Sequence, residues 1–328
     1  MEPHEIFDKP PAIQPCSKTE NRPLWSVMIP AYNCADLLVE TLESVLSQDM
    51  GADKMQIEVI DDASTDADVK AIVEKTGKGR VRYYRQPVNV GSLKNFQTCI
   101  NRAEGYLVHL LHCDDKVLKG YYKKIQSLFE AYPNIGAAFC SFHYINEHNK
   151  FMWNHPKEAT KEGILHDWLI RIAKRQSLQY CTITVKREVY ETLGGFYGVT
   201  YGEDWEMWAR IATRYEIAYT PELLAEYRIH TNSISSRSFL IAQNIKDIKW
   251  VIDTILKFLP EEKRAEVKKE AYSHYAFYAT YVANNIWHQT HNKQATKLQI
   301  REALKMYNGL KMYYPIAKIY TKMLINRR

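Results

Sequence analysis

From Trp25 onward, short runs rich in β-branched and aromatic residues alternate with stretches of helical periodicity, and this alternation constrains the chain more than any other feature. WSVMIPAY (25–32) precedes a helical pattern at 35–47, MQIEVI (55–60) one at 66–75, VRYYR (81–85) one at 92–103, and YLVHLL (106–111) one at 119–131. Strand and helix in repeated succession are the signature of βαβ units around a parallel sheet. GAAFCSFHYI (136–145) and CTITVKREV (181–189) read as further strands, the second running into a short helix that Gly194 and Gly195 end. After Ser238 the strand signal stops, and helices follow with breaks near Pro260, Asn292 and Pro315. The expected organisation is an extended arm over 1–24, an α/β domain over 25–237 and a basic helical region over 238–328.

Residues 1–24 are polar and carry five prolines, with no basic-then-apolar pattern of a signal peptide. No window approaches the roughly 18 uninterrupted apolar residues of a membrane span, so the chain is expected not to cross a bilayer. Six cysteines, Cys16, Cys34, Cys99, Cys113, Cys140 and Cys181, form no CxxC pair. In a chain of 328 residues this predicts reduced thiols in a cytoplasm, most of them small core residues.

The net charge of +6 is unevenly spread: residues 239–328 sum to +9 and the remainder to −3. Residues 305–328 hold six basic side chains and no acid, with Tyr307, Tyr313, Tyr314 and Tyr320 interleaved. That composition suits an anionic membrane surface, and equally a solvated basic helix face. It suggests a cytoplasmic protein, peripheral on the inner face of the plasma membrane, with no nucleic-acid partner.

Ligands of open parallel sheets bind beyond the carboxyl ends of the strands. The residues found there are Pro30, Ala31, Tyr32 and Asn33; then DDASTD (61–66); then NVGSLKN (89–95); then HCDD (112–115). Two junctions are doubly acidic, which crowds like charges unless a cation or sugar hydroxyls lie between them. Either Asp61 or Asp62, at the strand end and facing the cleft, can accept a hydrogen bond from a base or ribose, and Asp66 can cap the helix that begins near it. Neither GxxxxGK[ST] nor GxGxxG occurs, so phosphate charge must be balanced otherwise. Asp114 and Asp115 supply the hard oxygens that Mg²⁺ or Mn²⁺ prefer, and such ions take few protein ligands plus substrate phosphates. Zinc would need His109, His112 and Cys113, but His109 and His112 are three apart in a strand and face opposite sides.

In GEDWEMWARIA (202–212), helical geometry puts Asp204 on one face with Trp205, Trp208 and Ile211, while Glu203, Glu206 and Arg210 are expected to turn outward. Asp204 is either a cap partner or a catalytic carboxylate whose pKa the aromatic residues raise. In YRIHTNSIS (227–235), Arg228 and His230 fall on one face if extended. His230 then suits a metal or a diphosphate, and Arg228 a charge to balance.

These motifs, with VMIPAYNCADLLVETLESVLSQD (27–49), EVIDDASTD (58–66), LLHCDDKVL (110–118) and VKREVYETLGGF (185–196), resemble the inverting glycosyltransferases of family 2, which have the GT-A fold. The resemblance runs from about residue 25 to 235. It implies that Tyr32 and Asp62 contact the nucleotide base above a floor of Pro30 and Ala31, and that Asn89 also lines the donor site. Asp114 would touch the ribose or the metal, and Asp115 and His230 would complete the Mn²⁺ or Mg²⁺ site. Asp204 would be the base and Glu203 would orient sugar or acceptor. The implied reaction moves one sugar from a nucleotide-sugar, UDP-linked by expectation, to a glycan or lipid-linked acceptor in cell-surface polysaccharide synthesis. One departure stands out: where the family often reads D-x-D-D, the first acid here is His112. Two other readings compete, a nucleotidyltransferase and a non-catalytic sugar- or nucleotide-binding relative. The first would want a glycine- and basic-rich loop where AYNCAD stands, and the second would tolerate loss of Asp204 or the aspartate pair.

Overall fold

A computed structural model describes residues 7–17, 20–230 and 238–325. The chain divides into two compact units, one made of residues 1–166, 177–198 and 214–229, the other of 167–176, 199–213 and 230–328. Within the span 25–237, residues 167–176, 199–213 and those from 230 onward therefore belong to the second unit.

The first unit is built on a ten-stranded sheet. Its parallel half comprises β1 (Trp25–Ala31), β2 (Met55–Asp61), β3 (Arg82–Arg85) and β4 (Leu107–Leu110), in the order β3-β2-β1-β4. Then follow β5 (Lys116–Val117), β6 (Ala137–Asn146), β7 (Phe151–Asn154), β8 (Gly163–Ile164), β9 (Ile183–Lys186) and β10 (Ile217–Ile229). The order continues β4-β9-β6-β10-β5; β9 is antiparallel to β4 and β6, while β6 and β10 run parallel. Every residue of β1 and β2 is buried, as strands covered on both faces must be.

Alternation along the strands sorts the layers. Val27 and Ile29 of β1 and Ile57 and Val59 of β2 share one core cluster with α1 (Ala35–Leu46), α2 (Val69–Gly77) and α4 (Tyr121–Ala131). Met28 and Ile60, one step out of phase, lie outside that cluster, and α3 (Ser92–Arg102) packs on the same two strands. Asp66 does not cap α2: Asp68 does, accepting from Ala71 N at 3.0 Å. Asp66 instead accepts from Ala35 N at 3.0 Å, in the first turn of α1, because the β1 and β2 ends lie side by side. The strand at 181–189 is β9 running directly into a helix at Arg187–Leu193 that ends at Gly194, whose φ of 82° favours glycine.

Arg187–Leu193, in the first unit, is α6; the second unit is helical, with α5 (Trp168–Lys174), α7 (Glu203–Ala212), α8 (Gln243–Ile255), α9 (Glu261–Thr290), α10 (Lys293–Met306) and α11 (Tyr313–Leu324). Pro260 precedes α9, and Asn292 caps α10 by accepting from Ala295 N at 3.0 Å. Pro315 does not break a helix. It sits in the first turn of α11, where its missing N–H has no intrahelical partner to lose. In α9, Val267, Ala271, Tyr275, Ala279, Val282 and Ile286 recur every three or four residues as the buried stripe. No helix among the described residues is long and apolar enough to cross a membrane.

The cysteines depart from the expectation of six reduced thiols. Cys34 and Cys113 form a disulfide, while Cys99, Cys140 and Cys181 are buried thiols. They are 79 residues apart, but β1 and β4 are neighbours, so the segments leaving their carboxyl ends meet.

Candidate active site

Within the first unit, the parallel strands deliver residues 30–33, 61–66 and 111–115 to one edge of the sheet. Ala31 pairs with Asp61 across β1 and β2, and Leu111 N donates to Met28 O at 3.0 Å. Pro30 and Ala31 are buried beneath this edge and Tyr32 is half-buried upon it. Asn33, at φ 49°, ties the first loop to the second: its N–H donates to Ser64 Oγ at 3.0 Å and its Oδ1 accepts from Thr65 N at 2.8 Å.

The two aspartates that end β2 have different tasks. Asp61 is enclosed; Tyr83 Oη donates to its Oδ2 at 2.7 Å, Ser64 N to its Oδ1 at 2.8 Å, and Arg85 forms an ion pair with it. Burial alone would raise its pKa, but those donors and the arginine charge outweigh it and hold the carboxyl below the usual range. Asp62 accepts from Val90 N at 2.8 Å and Gly91 N at 3.0 Å, pinning the segment that starts α3. Asn89 also accepts from Gly91 N, at 3.1 Å.

The acidic pair splits in the same manner. Asp115 is 1% exposed, and its Oδ1 accepts the Arg228 amide at 2.9 Å. Burial first, and then the neighbouring Asp114 charge, push its pKa well up, against hydrogen bonds from the Arg228 amide and Cys181. Asp114 is half-buried, and its backbone oxygen accepts from Arg228 Nε at 2.8 Å. The guanidinium of Arg228 further donates to Asn146 O at 3.2 Å and Glu40 Oε2 at 2.8 Å. Arg228 thus clamps the acidic loop from behind. Thr41 Oγ1 adds contacts to the Cys113 and Asp115 carbonyls at 2.9 and 2.8 Å.

The histidines sort by their surroundings. His109 is buried and stacks on Tyr121 at 4.7 Å, and burial pushes its pKa down to about 3. His112 stacks on Tyr180 at 4.2 Å with Phe96 at 5.1 Å, and burial lowers its pKa as well. His230 is half-buried and follows β10, while residues 231–235 of the motif quoted around it lie outside the described residues. Among the described residues no group of three or more His, Cys, Asp or Glu side chains is placed to hold a metal ion, the expected set of Asp114, Asp115 and His230 included. The inward turn of Asp115 toward the Arg228 amide is the physical reason on the acidic side. Two adjacent carboxylates still match a hard divalent cation that draws most of its ligands from water and phosphate.

In the second unit, Asp204 occupies the first turn of α7. Its Oδ1 accepts from Trp205 N at 2.8 Å, and the Gln176 side-chain amide donates to its Oδ2. Burial drives its pKa to about 7 against these hydrogen bonds and one from Trp208. Gln176 is itself held, since its backbone N–H donates to Tyr275 Oη at 3.0 Å, and the Tyr275 ring lies 5.0 Å from Trp205. Neither Gln176 nor Tyr275 belongs to a motif legible in the sequence.

The remaining acids of α7 do not turn outward. Glu203 is buried, and Glu206 is fully buried in a forked pair with Arg210, with Nε to Oε1 and Nη2 to Oε2 both 3.0 Å. Flanking elements α5 and α8 cover the helix, leaving it no solvent face.

The glycosyl transferase family 2 model matches residues 26–194, just over half of the chain. A putative teichuronic acid biosynthesis glycosyltransferase of Bacillus subtilis, TuaG, is 27% identical over 232 residues, covering 69% of this chain and 86% of that protein. Among solved structures, Staphylococcus aureus TarS residues 1–349 with UDP-GlcNAc superposes with a TM-score of 0.65 at 16% identity, over 85% of this chain and 79% of the other. The mannosyltransferase PcManGT of Pyrobaculum calidifontis, with GDP-Man and Mn²⁺, gives 0.51 at 19% identity, over 100% and 92% of the chains. At these identities the two structures establish the shared fold.

Proposed function

Since the chain belongs to glycosyl transferase family 2 and is accordingly a glycosyltransferase, we propose that it moves a single sugar, with inversion, from a UDP-sugar to a hydroxyl of a glycan or lipid-linked acceptor during synthesis of a cell-surface polysaccharide. The observation that carries the reaction type is Asp204, a buried carboxyl with a pKa of about 7. A base poised near neutrality is what activation of an alcohol requires. Asp204 takes the acceptor's proton as the acceptor oxygen bonds to the anomeric carbon. The bond to the nucleoside diphosphate breaks on the opposite face, through an oxocarbenium-like transition state. Glu203 orients the sugar or acceptor.

Tyr32, Asp62 and Asn89 receive the nucleotide above Pro30 and Ala31, and the UDP-GlcNAc complex of TarS supports a uridine donor. Asp114, the more accessible of the acidic pair, would hold Mn²⁺ or Mg²⁺ together with Asp115 and His230; the Mn²⁺ complex of PcManGT supports this. Bound there, the cation would supply charge neutralisation for the departing diphosphate. The likeness to TuaG supports a polysaccharide acceptor. The basic aromatic end of the chain would hold the enzyme at the inner face of the plasma membrane.

The deciding experiment is a thermal-shift and hydrolysis screen of UDP-, GDP- and dTDP-sugars with and without Mn²⁺. The expected result is Mn²⁺-dependent stabilisation by UDP-sugars, retained by Asp204→Asn with transfer abolished and weakened by Asp114→Ala. Equal stabilisation with and without Mn²⁺, or full transfer by Asp204→Asn, would overturn the corresponding assignment.

A further inference from the structure

The first unit contains a cavity of about 560 Å³ that involves none of the residues assigned above to donor, metal or base. It is lined by Ser141 and Phe142 of β6, Asn154 and His155 at the end of β7, Lys157, and Pro221 to Leu223 of β10. Its origin is local. The pairing of β10 with β6 slips between Thr220 and Leu223 and again between Leu223 and Ala225, where Pro221 cannot donate to the ladder. The strand arches there and opens space beside β6.

Two of the lining side chains, Phe142 and His155, begin a run of rings that leads from the cavity to the surface. Phe142 stacks on His155 at 4.6 Å and 15°, and Tyr144 Oη lies 3.4 Å from His155 Nδ1. Tyr144 meets Trp153 at 4.8 Å and Tyr227 at 5.7 Å. Trp153 is 43% exposed and Phe151 59%, on a strand whose every residue faces solvent. Polar groups of both kinds are interleaved with the rings: the Asn154 amide, the Lys157 ammonium and the Glu222 carboxylate, the last held by Lys124 at 2.8 Å.

On the premise that the enzyme is the glycosyltransferase proposed above, we infer that this cavity and its run of rings are a saccharide subsite, which holds pyranose units of the acceptor chain. The volume falls within the range of ligand pockets, about 300–1,000 Å³. Pyranoses present C–H faces that pack on aromatic rings and equatorial hydroxyls that need donors and acceptors together. A second protein chain would want a larger dry apolar centre than these rings provide. An anionic ligand alone would leave Glu222 opposed.

Saturation-transfer NMR and calorimetry with maltotriose and chitotriose as probes test this on the full chain. At least one probe should bind saturably. Trp153→Ala, at an exposed hairpin position, and Asn154→Ala should each weaken binding tenfold or more, and Trp153→Phe should restore most of it. UDP binding, measured on the same samples, reports that the donor edge is still folded. Failure of both probes to bind, binding that survives Trp153→Ala and Asn154→Ala, or a Trp153-dependent self-association in place of saccharide binding would each overturn the subsite. Saccharide binding in a protein that transfers no sugar would retain the subsite and refute the proposed reaction.

Discussion

The backbone amide of Arg228 donates to Asp115 Oδ1 at 2.9 Å, while the Arg228 side chain reaches the carbonyl of Asp114 and the carboxylate of Glu40. One residue thereby holds both members of the acidic pair. Arg228→Ala is expected to leave the Asp114 and Asn146 carbonyls without their donor, at a cost of about 2–3 kcal/mol. Urea unfolding should read that loss, and calorimetry should show weaker Mn²⁺-dependent UDP binding. Arg228→Lys should fall between, because an ammonium cannot fork to two carbonyls and a carboxylate. Wild-type donor affinity in Arg228→Ala would show that the clamp does not serve the site.

Asp204 makes two linked pH predictions. Its pKa is raised from 3.8 to about 7 in the folded chain, so between those values the folded state binds more protons than the unfolded state. Stability must therefore fall as pH rises through that window, by up to about 4 kcal/mol. Transfer should rise over the approach to pH 7, as the base deprotonates. Asp204→Asn should flatten the stability profile and abolish transfer. A wild-type stability curve that the substitution leaves unchanged in shape would refute the raised pKa.

The strands β1, β2 and β4 and the residues at their ends were legible because fully buried parallel strands write themselves as apolar runs with polar punctuation. β10 was not: Pro221 and Glu222 interrupt its pattern, and only the bulge they occupy reconciles them with a 13-residue strand. A period of about 3.6 residues places Asp204 and Trp208 on the inward side of α7, where they are buried, but it also turns Glu206 and Arg210 outward, and they are buried too. Glu206 and Arg210 can be buried because they neutralise each other, which periodicity does not encode. Neither the Asp66 contact nor the Cys34–Cys113 pair is written in local sequence, because both bridge segments brought together by sheet order, a long-range property. Gln176 and Tyr275 lie 99 residues apart and reach Asp204 through tertiary packing alone.

The disulfide joins the N-cap residue of α1 to the residue before Asp114. Reduction would release the loop between β1 and α1 from the acidic loop. Closing a loop of this length stabilises by about 2–4 kcal/mol, so dithiothreitol, or Cys34→Ser with Cys113→Ser, should lower Tm and weaken UDP binding together. In a reducing compartment such a bond would be transient and would couple donor affinity to redox state. Identical Tm and UDP affinity with and without reductant, with both thiols alkylatable beforehand, would show that the bridge does not form in solution.

Helix α11 turns Ile316 and Ile319 inward, while Tyr313, Tyr320 and Leu324 recur along its outer side beside Tyr314 and Ile325. Tyr314 is 77% exposed and Leu324 85%. Lys311 and Lys318 flank this apolar side; Arg327 and Arg328 lie outside the described residues. An outward apolar stripe bordered by lysines is the pattern of a helix that lies in a membrane interface, where ring burial and attraction to anionic headgroups add. The enzyme should sediment with phosphatidylglycerol vesicles and not with phosphatidylcholine ones, and high salt should release part of it. Lys311→Glu with Lys318→Glu should remove the lipid preference, and Tyr314→Ser with Leu324→Ser should lower binding at any salt. Both double variants leave Ile316 and Ile319 in place, so Tm should stay near wild type, and unchanged sedimentation of both would refute the membrane assignment.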